Sequence, residues 1–279
     1  MSQIPDELAD ALPPPLRATG ADGATIEAHA HGAHLVRWSP AGESGNRLFL
    51  SSASAYRRGV AIRGGVPVIF PQFAAEGPLP RHGFARTMSW ELQSAQGATL
   101  RFALTDTAAT RAIWPHAFRA GLELAAAGRE LRITLSLHNP GETALDFTAA
   151  LHTYIAVMEI GTARLHGLQG LRYRDSARGD ASGRQAEALL GFDGEIDRIY
   201  FDAPPQLQLQ EPQRTLTIRQ QGFRDTVVWN PGSRKATALA DLEPGGERRM
   251  LCIEAATVGE PHRLAPGAEW SGTQWLVAG

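Results

Sequence analysis

The sequence predicts an all-β fold, an antiparallel β-sandwich or barrel. Three observations lead there: runs in which apolar and polar residues alternate, separators rich in Gly, Pro and Asp, and no regular strand–helix–strand spacing. Leu100, Phe102 and Leu104 alternate with Arg101 and Ala103, and Leu131, Ile133, Leu135 and Leu137 alternate with Arg132, Thr134 and Ser136. Side chains on a strand change face at every residue, so each run is a strand with one buried side. His138-Asn139-Pro140-Gly141 closes the second run as a turn, because proline presets φ and glycine accepts unusual backbone angles.

A third run places Leu145, Phe147, Ala149 and Leu151 on one face and Asp146, Thr148, Ala150, His152 and Tyr154 on the other. A histidine and a tyrosine opposite an apolar row are candidates for lining a cleft. Further strands are expected at Leu207 to Leu209, Thr215 to Arg219, Thr226 to Trp229, Met250 to Ala255 and Thr273 to Val277, with Pro244-Gly245-Gly246 and Ala265-Pro266-Gly267 between the later ones. The opening segment through Pro15 is expected to be a short helix or irregular arm stopped by Pro13, Pro14 and Pro15. Residues 1–20 are therefore assigned to a flexible arm and 21–279 to a single β-sandwich domain, a size that sandwiches reach without splitting.

Composition narrows the function. With 43% hydrophobic and 20% charged residues the chain has the balance of a folded globular protein rather than a disordered one. A formal charge of -2 provides no global field for nucleic acid or an anionic membrane, so neither is expected as a partner. Lys235 is the only lysine, and the remaining basic side chains are arginines, whose planar fork suits carboxylate or phosphate. Cys252 is the only cysteine, the first residues lack a signal peptide's basic flank and apolar run, and no stretch of about 20 apolar residues spans a bilayer. A cytoplasmic protein with no obligate protein partner is expected.

The stretch Ile62 to Phe73, followed by Pro80-Arg81-His82-Gly83-Phe84-Ala85-Arg86, is dense in glycine, proline, arginine and histidine. Arg63, Arg81 and Arg86 together are a candidate anion site, with ordinary surface arginines on a glycine-rich loop as the alternative. No GxxxxGK[ST] pattern accompanies them, which disfavours a nucleotide phosphate loop. His29, His31 and His34 invite a metal reading, but His34 needs a turn to join the other two, and it is better taken as a packed or hydrogen-bonded residue before Trp38. Glu254 interrupts the apolar run Met250 to Ala256, where a buried carboxylate is costly unless paired or functional; plain outward alternation is the competing explanation. Asp197 is a candidate acceptor for sugar hydroxyls or half of a surface pair, and Trp90 and Trp229 either stack on a sugar or fill the core.

Taken in order, His31-Gly32-Ala33-His34, Ile62 to Phe73, His82 to Arg86, Leu151-His152-Thr153-Tyr154, Val228-Trp229-Asn230-Pro231 and Ala240-Asp241-Leu242 make the chain similar to the hexose-6-phosphate mutarotases of the aldose 1-epimerase superfamily over nearly all its length. The resemblance implies a galactose-mutarotase-like supersandwich, a site in a concave groove, a phosphorylated sugar as small-molecule substrate, and no cofactor or metal. Matched residue by residue, it implies His152 and Glu254 as the catalytic pair. It also implies Arg63 and Arg86 as substrate or phosphate ligands, Asp197 as a substrate ligand and His82 as the histidine beside the sugar. Arg81 stands where many relatives carry a neutral residue such as Gln, and it too is expected to bind substrate. Protonated His152 is expected to act as acid and the Glu254 carboxylate as base.

Overall fold

The computed structural model describes residues 10–279 of the chain. Among these, twenty strands, numbered along the chain, build three antiparallel sheets. A small sheet joins β1 (Leu16–Thr19), β2 (Thr25–His29) and β3 (His34–Ser39). An eight-stranded sheet runs β13 (Ala181–Arg184), β12 (Arg172–Asp175), β15 (Ile196–Tyr200), β18 (Asp225–Asn230), β19 (Met250–Leu264), β9 (Leu145–Leu151) and β4 (Val68–Ile69), with β10 (Tyr154–Ala156) also paired to β19. A nine-stranded sheet runs β14 (Leu189–Leu190), β11 (Arg164–His166), β16 (Gln206–Glu211), β17 (Arg214–Gln221), β20 (Glu269–Ala278), β8 (Glu130–His138), β7 (Arg119–Ala127), β6 (Thr99–Thr105) and β5 (Glu91–Gln96).

The alternation seen in the sequence is what glues the large sheets together. Leu100, Phe102 and Leu104 of β6, the four apolar residues of β8, and Leu145, Phe147, Ala149 and Leu151 of β9 share one buried cluster. Truncating a large side chain in such a layer typically costs about 2–5 kcal/mol, because the cavity relaxes only partly. Among the described residues the two short α-helices are α1 (Ala108–Ile113), started by a Thr107/Thr110 capping box, and α2 (Gly232–Ala236). The expected arm over residues 1–20 is cut short, because Leu16–Thr19 already pair with Ala28–Thr25 as β1; residues 1–9 of that arm lie outside the described residues.

The amino-terminal histidines do not converge. His29 packs its ring on Tyr56 at 5.6 Å, His31 donates from Nε2 to Val60 O at 2.8 Å, and fully buried His34 donates from Nε2 to Gly64 O at 2.8 Å. His34 thereby props the Arg63-Gly64-Gly65 loop, where Gly65 has φ +61 and a Cβ would sit 2.2 Å from Leu35 O. Only glycine fits that close approach. Burial, opposed by the Gly64 hydrogen bond, holds His34 down to about 3 from 6.5.

A histidine with a depressed pKa contributes stability that is complete above 6.5 and is lost as pH falls toward 3. Between pH 7 and pH 5 the His34 share of that loss should be about 2 kcal/mol. Urea unfolding of His34→Gln should therefore show a fall in stability over this interval smaller than the wild-type fall by about that amount. Equal falls in the two proteins would show that His34 does not carry the effect.

Candidate active site

The face of the eight-stranded sheet turned away from the sandwich core forms the floor of a groove, and register decides which residues reach it. Val227 pairs with Glu254 and Trp229 with Cys252 between β18 and β19, while Asp197 pairs with Trp229 and Ile199 with Val227 between β15 and β18. On the other side of β19, Leu151 pairs with Ala255 and Tyr154 with Cys252. The same register sets His152 directly opposite Glu254, at the break between β9 and β10 where the Thr153 N–H turns back to Leu151 O. Leu251, Ile253 and Ala255 point the other way, into the core. Glu254 thus follows outward alternation, yet it is only 1% exposed because the groove walls cover it.

The neighbours of this pair are tied down from behind. Thr153 Oγ1 donates to Gln274 Oε1 at 2.6 Å, and Gln274 Nε2 donates to Ile253 O at 3.0 Å. Gln274 belongs to β20 of the opposite sheet, so one buried side chain links the sandwich layers beneath the residues that flank His152 and Glu254.

His152 Nε2 lies 3.3 Å from Glu254 Oε1. His152 Nδ1 and Glu254 Oε2 are buried with no hydrogen-bond partner among the described residues. Tyr154 stacks on the His152 ring at 4.8 Å and 12°, and His82 meets it edge-on at 5.7 Å. Burial pushes Glu254 well above the usual carboxylate range, helped by Asp197 and opposed by Arg86. Burial also pushes His152 well below 6.5, helped by His82, Arg63 and Arg86. Burial disfavours charge on each group, while their 3.3 Å contact lets a proton pass between them.

The walls carry the polar groups expected from the sequence. Arg63 donates from Nη1 to the Tyr154 hydroxyl at 2.9 Å and from Nη2 to Asp241 Oδ1 at 3.1 Å, and its guanidinium lies 5.9 Å from the Trp229 ring. Arg86, on the turn Ala85–Thr87, donates from Nη2 to Arg81 O at 3.1 Å, while the Arg81 side chain is exposed. His82 occupies the left-handed region at φ 66, a conformation that costs a non-glycine residue about 1–3 kcal/mol and persists only where its surroundings enforce it. Its N–H donates to Ala74 O at 2.8 Å, and its Nδ1 accepts from Ala74 N at 3.3 Å, which leaves the proton on Nε2. Burial and the nearby Arg86, Arg81 and Arg63 hold His82 down to about 3, so it is a neutral donor. Next to it, Gly83 has φ +66, and a Cβ there would lie 2.2 Å from Phe70 O.

Arg63, Arg81, His82, Arg86, His152, Asp197 and Glu254 all line one cavity of about 690 Å³, a size ordinary for a small-molecule site. Asp197, on β15, is pushed up by burial, opposed by Lys235 and Arg81. The two tryptophans separate: Trp90 is core, its indole N–H donating to Ala85 O at 2.9 Å, and Trp229 lines the groove. Three features were not picked out from the sequence as site residues. Tyr154 shares the face of His152 and was marked only as a candidate cleft residue. Asp241, the carboxylate partner of Arg63, comes from a distant loop; its motif Ala240-Asp241-Leu242 belongs to the resemblance but assigns it no role. Lys235 lines the same groove from α2, 2.9 Å from Glu195; its signal was its being the chain's only lysine.

An antiparallel supersandwich whose groove buries a histidine–glutamate contact and is lined by arginines is the architecture of a galactose-mutarotase-like protein. The chain belongs to the aldose 1-epimerase family, which its residues 16–276 match. It is 31% identical, over 99% of its own length and 89% of the relative's, to a protein of Cenchrus ciliaris provisionally named glucose-6-phosphate 1-epimerase. A protein of Escherichia coli K12 with the same provisional name is 35% identical over 84% of this chain and 80% of its own. Among solved structures, a provisionally named mutarotase from Salmonella typhimurium superimposes with a TM-score of 0.84 at 28% identity, covering 91% of this chain and 87% of that one. A galactose mutarotase related enzyme from Lactobacillus acidophilus, at 14% identity and a TM-score of 0.75, shares the fold over 95% of this chain and 97% of its own.

Proposed function

We propose that this isomerase interconverts the α and β anomers of a hexose 6-phosphate, with glucose 6-phosphate as the first substrate to test. The observation that carries the reading is the 3.3 Å contact of His152 with Glu254 in a groove that also holds Arg63, Arg81 and Arg86. Opening a cyclic hemiacetal removes a proton from the O1 hydroxyl and supplies one to the ring oxygen. One proton shared by two groups meets both needs, because one member is always the acid while the other is the base.

On binding the cyclic sugar, the shared proton moves from Glu254 to His152 across their contact. Glu254 then takes the O1 proton as His152 delivers its own to the ring oxygen, and the pair returns to the neutral form that burial favours. The open aldehyde therefore faces the pair in its preferred charge state, which lowers the cost of ring opening. Rotation about C1–C2 exposes the other carbonyl face, and the same transfers in reverse close the second anomer. The arginines hold the phosphate through that rotation, so the open chain is not released, and His82 Nε2–H and the Asp197 carboxylate take sugar hydroxyls as donor and acceptor.

Among the described residues no helix is long and apolar enough to cross a membrane. We assign the chain to the cytoplasm on its single cysteine, and to a small phosphorylated sugar as its only required partner.

Two-dimensional exchange NMR on anomerically equilibrated glucose 6-phosphate tests the proposal. Cross-peaks between the two anomeric protons should build up with enzyme, faster than for glucose or galactose at equal concentration. Acceleration of a free hexose alone would assign a free-sugar mutarotase. Acceleration of neither would leave a non-catalytic sugar-binding sandwich.

A further inference from the structure

Cys252 takes no part in the proton transfers above, yet it lies on the same face of β19 as Glu254, two residues away. It is fully buried, covered by Phe49, Tyr154, Leu242 and Met250 with Trp229 packed against them. The Cys252 sulfur, a ring nitrogen of His152 and a carboxylate oxygen of Glu254 lie within 4.8 Å of one another, the only such group of potential metal ligands among the described residues. Glu254 Oε2, on a side chain only 1% exposed, has no hydrogen-bond partner there. Once the carboxyl is ionised, this oxygen is a buried acceptor that a ligand can take.

From this we propose that His152, Cys252 and Glu254 form an inhibitory site for a borderline-soft divalent cation of the zinc class. Nitrogen, sulfur and oxygen donors in one cluster are the set zinc prefers, with bonds of about 2.0–2.3 Å and donor-to-donor edges of about 3.3–3.8 Å in tetrahedral geometry. The 3.3 Å separation of His152 Nε2 from Glu254 Oε1 already meets the shorter edge, and the remaining closure of about 1 Å falls to the thiolate and the free carboxylate oxygen. Binding releases the Cys252 thiol proton and the proton held by the His152–Glu254 pair to solvent, and with cysteine and glutamate bound as anions the complex is neutral, which matters in a groove already lined by Arg63 and Arg86. His152 and Glu254 line the groove, so a water from that side can supply the fourth ligand. A coordinated His152 nitrogen cannot carry a proton and a coordinated Glu254 oxygen cannot accept one, so occupancy stops turnover. Hard cations such as magnesium, which favour all-oxygen octahedral sites, lack suitable donors here.

The inhibition rests on the proposed acid–base role of His152 and Glu254, whereas the binding does not, so the two are measured separately. Cadmium titrated into the wild-type protein should produce the ultraviolet thiolate-to-metal charge-transfer band, and Cys252→Ser and Cys252→Ala should lack it. Anomer exchange of glucose 6-phosphate should fall as free zinc rises and be restored by a chelator. In both variants, with metal-free turnover unchanged, at least about tenfold more zinc should be needed, since losing even an outer-shell partner of a metal ligand typically costs about 10–100-fold in affinity. No cadmium band in the wild-type protein would overturn the site, as would equal zinc sensitivity in all three proteins. A cadmium band without any mutarotase activity would retain the site and instead remove the proposed function.

Discussion

Glu254→Gln should lower kcat for anomer exchange by about 10²–10⁴-fold, the range over which a positioned acid or base accelerates proton transfer. Glutamine keeps the shape of the side chain but can neither release nor take up the pair's proton, so His152 is left without its exchange partner. Stability should move the other way. A carboxyl whose folded pKa is raised favours the fold while protonated and loses that contribution as pH rises through the folded value. The neutral amide escapes that loss, so the variant should unfold at an equal or higher temperature than wild type at pH 8. His152→Ala should lose turnover to a similar extent, but with reduced stability, since it removes the ring against which Tyr154 stacks. Because the two residues act as one unit on one proton, the double variant should be scarcely slower than either single one. NMR exchange rates and thermal unfolding on the three proteins check this, and wild-type turnover in a folded single variant would strip that residue of its role.

Arg86→Ala should reduce kcat/KM for glucose 6-phosphate by about 10- to 150-fold, the equivalent of one charge-assisted hydrogen bond of about 1.5–3 kcal/mol. For unphosphorylated glucose the change should be small, because there the guanidinium has no phosphate to hold. Arg86 suits the test better than Arg63, whose guanidinium is already held by Tyr154 and Asp241 and whose loss would free both partners inside the groove wall. Arg86 makes only a single hydrogen bond, to the Arg81 carbonyl, and its buried Nε has no partner among the described residues. Substrate phosphate should also act on rate. Arg63 and Arg86 disfavour charge on His152, and a phosphate dianion beside them offsets that field, easing the proton's move onto the histidine. An unchanged ratio of phosphorylated to unphosphorylated substrate efficiency in Arg86→Ala would place the phosphate elsewhere in the groove.

Much of this was legible in one dimension because strands declare themselves by period two. The alternations at Leu100 to Leu104, Leu131 to Leu137 and Leu145 to Leu151 are observed as β6, β8 and β9 with the expected buried faces. The amino-terminal arm was overdrawn since Leu16–Thr19 has too few residues to show a period, and it is a strand only because β2 lies alongside. Among site residues, the glycine- and arginine-rich loops stood out by composition. Asp241 and Tyr154 did not, as an aspartate before a leucine and a tyrosine on a strand have many ordinary uses.

By itself the sequence determined the strands with clear alternation, the faces they bury, and which side chains have acid–base or anion-binding chemistry. It could not determine that His152 and Glu254 meet, because their contact depends on the register between strands a hundred residues apart, and register is a property of the assembled sheet. Nor could it determine their charge. Whether a carboxyl or an imidazole keeps its proton depends on the water excluded and the charges brought near, and here the closed groove, assembled from separate loops, pushes Glu254 up and His152 down.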